Sequence, residues 1–86
     1  MRYTHLTAEN QAEMINQRLA NMEVEHYQHE ISKMIGRQIA NTASGPRLEE
    51  AKKMIADAEA AQAVIEEAIE GIKAALAALH DGRPVG

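Results

Sequence analysis

Residues 48 to 79 carry an unbroken series at three- and four-residue steps: Leu48, Ala51, Ile55, Ala58, Gln62, Ile65, Ile69, Ile72, Leu76, Leu79. Ten successive positions include a single polar residue, Gln62. Sustained spacing of this kind is one narrow apolar stripe on a long helix, and such a stripe is buried against another helix. A chain built around it folds as packed helices. The lone Gln62 reads as a register-setting residue that costs some stability.

Composition narrows the class further. The 86 residues suit one domain. Cys, Trp and Phe are absent, and the aromatics are Tyr3 and Tyr27 alone. Alanine is the commonest apolar residue; it favours helix and fills little core volume. A disulfide framework and Cys-ligated zinc are excluded. The opening stretch Met1 to Thr7 has no apolar signal core, and no run approaches the ~20 apolar residues of a membrane span. These features point to a cytoplasmic protein with no membrane partner. The formal charge of -4 argues against nucleic-acid binding.

Punctuation divides the chain in two. Thr7 with Ala8-Glu9 reads as a helix cap followed by an acid in the first turn. The clearest break is Asn41-Thr42-Ala43-Ser44-Gly45-Pro46, and Asp81-Gly82-Arg83-Pro84 is the final stop. The expected fold is all-α: a helix over about 7–41, a turn over about 42–46 and a helix over about 46–80, making one antiparallel coiled-coil hairpin domain that associates into a helical bundle. Gly36 and Gly71 read as places of close helix approach or local weakness. A turn near Ser44 sets Ile31 opposite Ala58, Met34 opposite Ile55, Tyr27 near Gln62 and Val24 near Ile65. Toward the start this pairing fails, because polar Glu13, Asn16 and Gln17 would then face Ile72 and Leu76.

The first arm carries two stripes. Ala20, Val24, Tyr27, Ile31, Met34 and Ile35 share one side, and Ala8, Ala12, Ile15, Leu19 and Met22 cluster about 160° away at 100° per residue. With the first stripe placed on the hairpin seam, the second is the expected oligomer interface. A two-helix hairpin alone buries too little surface to be stable, so a homo-oligomer, dimer or higher, is expected.

Chemistry concentrates at Glu23 to Glu30. Glu23 and His26 have the Glu-x-x-His spacing of di-iron bundles, and His29 and Glu30 extend it, so a metal-binding bundle is one alternative. The second arm offers no carboxylate on its seam to complete such a site, so no cofactor is expected. Next to this segment, His26, His29, Lys33 and Arg37 fall within about 80° of each other, continuing the line of Ile15, Leu19 and Met22. Between residues 30 and 53, five Lys/Arg stand against three acids in a chain that is otherwise acidic. This basic ribbon is the candidate binding site for an anionic small molecule, such as a cyclic nucleotide, or for an acidic host protein. No nucleophile-base set or phosphate-binding Gly loop is present, so an enzyme is not expected.

The opening Leu6-Thr7-Ala8-Glu9-Asn10 and the run Arg18-Leu19-Ala20-Asn21-Met22-Glu23-Val24-Glu25-His26-Tyr27 give the chain a build that resembles the short helical-hairpin proteins of phage and prophage genomes. That class includes inhibitors of bacterial immunity and helical oligomers that sequester nucleotide messengers. The resemblance implies a non-enzymatic oligomeric binding protein, an adaptor or an anti-defence inhibitor, with a ligand sponge as the alternative. It assigns no residue a role.

Overall fold

The computed structural model describes residues 5–82. Two helices, α1 (Ala8–Thr42) and α2 (Pro46–His80), pack side by side as an antiparallel hairpin measuring 58 × 19 × 15 Å. Each terminus has a local cause. The Thr7 hydroxyl accepts from the Asn10 amide at 3.1 Å, satisfying a first-turn N–H, and Glu9 complements the positive end of α1. At the other end the Ala43 amide still donates to the Ile39 carbonyl at 2.9 Å. Gly45 then turns the chain with φ 63°, and Pro46 opens α2 where its missing N–H costs nothing. Beyond His80, Gly82 adopts φ 75° and donates to the Leu79 carbonyl at 3.1 Å, closing α2.

The seam of α2 is the stripe read from the sequence. Ala51, Ala58, Gln62 and Ile65 are buried, and Leu48, Ile55, Ile69, Ile72, Leu76 and Leu79 are half-buried. The face that α1 turns toward it is the other one. Val24, Tyr27, Ile31, Met34 and Ile35, expected on the seam, are exposed. Ala12, Ile15, Leu19 and Met22, expected at an oligomer interface, are half-buried within the hairpin; Ala8, grouped with them, is exposed.

The seam of α1 runs Ala12, Ile15, Leu19, Met22, His26, His29, Lys33, Gly36, Ala40, Ala43, again at three- and four-residue steps without a break. The physical reason for this choice lies at both ends. Near the turn, only a glycine lets the helices meet as they do. A Cβ on Gly36 would lie 2.7 Å from Ile55 Cγ1 and 3.3 Å from the Ala51 carbonyl oxygen. At the far end, the same register brings Ile15, Leu19 and Met22 level with Leu76, Ile72 and Ile69. The rejected stripe would have set Glu13 and Gln17 there, burying polar groups without partners. The cost of the chosen face falls in the middle, where His26, His29 and Lys33 enter the seam.

Candidate functional site

That middle section is a polar layer with a complete set of partners. Gln62 is buried on α2 and reaches across to α1. Its amide nitrogen donates to the His26 carbonyl at 3.2 Å and to a Glu30 carboxylate oxygen at 3.0 Å. Its amide oxygen accepts from the Lys33 ammonium at 2.8 Å. Lys33, with its side chain only 13% exposed, also pairs with Glu30 at 3.1 Å. Among the described residues no buried side-chain N or O atom lacks a hydrogen-bond partner. Gln62 is therefore a junction between two charged groups; it meets His26, Glu30 and Lys33 and does not meet Tyr27. Hydrogen bonds to charged groups contribute about 1.5–3 kcal/mol, and a truncated junction leaves Lys33 short of an acceptor in a largely dry place. Replacing Gln62 by Leu should lower stability by about 1–3 kcal/mol in urea unfolding, despite the gain in apolar bulk. A higher urea midpoint for Gln62→Leu would show that the junction is a cost to stability.

The same layer confers an acid sensitivity. The Glu30 carboxyl is held below the ordinary carboxylate range, first by the hydrogen bond from Gln62, then by that from Lys33, with Lys33 and Arg37 adding Coulombic support. A carboxylate depressed in the folded state stabilises the fold above its unfolded-state pKa. That stabilisation disappears as pH falls through the folded-state value. Acid titration of the melting temperature should show a shallower decline for Glu30→Gln than for the unmodified chain; parallel limbs would remove Glu30 from the acid response. A third of the Glu30 side chain is in water, so the difference is small.

The four residues of the basic ribbon are placed by this arrangement. His26 Nε2 lies 3.0 Å from a Glu66 carboxylate oxygen on α2. Arg37 sits 3.8 Å from Glu30, and Lys33 is committed to Glu30 and Gln62. His29 is half-buried and lines a shallow groove with Ser32, Lys53, Met54, Glu50 and Asp57. Lys53 there is 3.4 Å from Asp57. His26, His29 and Lys33 thus lie along the seam while Arg37 stays exposed beside it, and carboxylates already stand near His26, Lys33 and Arg37. Of the metal-type residues, Glu23 is exposed, His26 turns to Glu66, and Glu30 turns inward. Among the described residues no cluster of three His, Cys, Asp or Glu side chains is arranged to hold a metal ion. Among the described residues no helix is long and apolar enough to cross a membrane.

The surface with the most unusual chemistry is on the opposite side of α1. The positions pointing away from α2, from Met14 to Thr42, are Met14, Gln17, Ala20, Asn21, Val24, Tyr27, Gln28, Ile31, Met34, Ile35, Gln38, Asn41 and Thr42. All of them are exposed, and none is charged. In a chain with 26% charged residues the stretch from Val24 to Ile35 is inverted: its charges sit on and beside the seam, and its large apolar side chains face out. Val24 is 60% exposed, Tyr27 57% and Ile35 50%. The outward face of α2 is charged by contrast: Glu49, Glu50, Lys53, Asp57, Glu67 and Glu70 are all exposed there, and Val64, 68% exposed, stands among them without a large apolar neighbour on that face. A central apolar patch bordered by uncharged amides has the anatomy of an interface: charges depleted at the core and polar groups at the rim. The signal that could have located it was the heptad series Ala12 to Ala43, which stays in phase across its charged middle. Comparison with protein-family models, curated proteins and solved structures finds no match to this chain.

Proposed function

We propose that the protein is a non-enzymatic helical binding protein, an adaptor or inhibitor, whose working surface is the outward face of α1. One observation carries this reading: the exposed, charge-free stripe centred on Val24, Tyr27, Ile31 and Met34. Its apolar side chains recur at helical spacing, so the natural occupant is another helix laid along it. The rim amides Gln17, Asn21, Gln28 and Gln38 can donate and accept hydrogen bonds with either polarity, which suits recognition without charge. Burying this face also supplies what the hairpin lacks. Its buried apolar residues within the seam are Ala51, Ala58 and Ile65, a small core for 78 described residues.

A photo-crosslinking residue placed at Tyr27, in cells producing the protein, tests this. Adducts are expected at position 27 and not at Glu67 on the outward face of α2. A chain that forms no adduct at position 27, with itself or with any other protein, is not a binding protein working through this face.

A further inference from the structure

We infer that the occupant of this face is a second copy of the same chain, packed antiparallel through α1 about a two-fold axis between Tyr27 and Ile31. This rests on the reading of the outward face as a binding surface and names its partner. The first argument is the spacing. The stripe Gln17, Ala20, Val24, Tyr27, Ile31, Met34, Gln38, Asn41 advances by alternating steps of three and four that read the same in both directions. Two copies run antiparallel therefore meet level at every position: Tyr27 against Ile31, Val24 against Met34, Ala20 against Gln38 and Gln17 against Asn41. Any three-four series has this symmetry of spacing, so it is the side chains that decide whether the patch fits itself, as an isologous interface demands. Here each pair also sets a larger side chain against a smaller one, as interdigitating helices require.

The second argument is charge. The nearest charged positions along one edge of the stripe are Glu23, Glu30 and Arg37. Antiparallel pairing brings Glu23 of each copy beside Arg37 of the other, twice per dimer. Glu30, which meets its own symmetry mate, is already turned inward to Lys33 and Gln62. The other edge is Asn21, Gln28 and Ile35, with no charge to oppose. Parallel pairing would forgo both Glu23–Arg37 contacts and align the helix dipoles head to head. The Arg37 side chain is 54% exposed, and its 3.8 Å contact with Glu30 leaves guanidinium N–H groups for a second carboxylate.

The third argument is area. Val24, Tyr27, Ile31, Met34 and Ile35 are 40–60% exposed. Together they offer on the order of 500 Å² per copy, about 1,000 Å² for the pair before the amide rim is added, where specific interfaces begin. The product is a flat four-helix layer in the order α2–α1–α1–α2, with the two α1 helices at its centre and the charged faces of both α2 helices outside.

Sedimentation equilibrium at tens of micromolar, with charge-swap variants, tests this. The unmodified chain should be a dimer. Glu23→Arg and Arg37→Glu should each weaken it about tenfold, and the double swap should restore most of the loss. Recovery in the double variant cannot come from a merely structural role of either residue. Cysteines added to this Cys-free chain fix the direction. Ala20→Cys mixed with Gln38→Cys should give a mixed disulfide, and Ala20→Cys alone should give none. A monomer, or a dimer in which Ala20→Cys links to itself and the double swap restores nothing, overturns the inference. If a monomer still forms adducts with another protein at position 27, the binding-surface reading stands and only the identity of the partner falls.

Discussion

Leu19→Asp should unfold the open half of the hairpin, with a loss of about 3–5 kcal/mol and a clear fall in helical circular dichroism. Leu19 is half-buried in the seam, level with Ile72, in the stretch where Ile15 and Met22 continue the contact. The cation that follows Ile72 on α2, Lys73, is exposed and already 3.9 Å from Glu70. The charge must be desolvated or the helices must part, and parting forfeits the apolar contact of several neighbours at once. Leu19→Met keeps volume and should cost under about 1.5 kcal/mol. Chemical denaturation of the three proteins at matched concentration is the measurement. An unchanged midpoint for Leu19→Asp would mean that this half of the seam is not closed in solution.

The second large effect is at the other end. Gly36→Leu should destabilise by about 3 kcal/mol or more, and Gly36→Ala by about 1–2 kcal/mol, although both replacements improve helix propensity by about 1 kcal/mol. The added Cβ meets Ile55 Cγ1 at 2.7 Å and the Ala51 carbonyl oxygen at 3.3 Å. Cγ1 is bonded to the β-carbon of an isoleucine whose χ1 is restricted in a helix, and the carbonyl belongs to the backbone of α2, so neither gives way unless the helices separate. Gly71 is the internal control. A Cβ there meets nothing within 4 Å, so Gly71→Ala should stabilise by about 0.5–1 kcal/mol. If the two alanine variants shift the midpoint in the same direction, the close approach at Gly36 is not what sets the helix spacing.

The two-helix hairpin was legible because α2 has one stripe and α1 has clear punctuation. Ala51 to Leu79 left a single face to bury, and Gly45-Pro46 could only be a turn. The rotation of α1 was not legible by hydrophobicity, because both of its faces are apolar in part. Counting apolar residues favours Val24, Tyr27, Ile31 and Met34 for the seam, and the hairpin leaves them outside. What decides is a property of the pair of helices: a glycine opposite Ile55, and Gln62 able to bind Glu30 and Lys33 together. Neither is visible until both strands of contact are laid side by side. His26, His29 and Lys33 do continue the line of Ile15, Leu19 and Met22, but their turn toward α2 was not legible, since a Lys or His at a seam position reads as surface until its partner across the seam is known.

The short turn has a kinetic consequence. Only residues 43–45 separate α1 from α2, so Gly36, Ala51 and Ile55 are brought together with little loss of chain entropy. Contacts become less local with every turn of helix away from that point. Closure therefore begins at the tip and proceeds outward, meeting the Gln62 junction before it reaches Leu19 and Ile72. The reverse process starts at the remote end, where Gln11, Ala12 and Leu79 are only half-covered. Amide hydrogen exchange should record this as a gradient along each helix, slowest around Gly36 and Ile55 and fastest beyond Ile15 and Leu76.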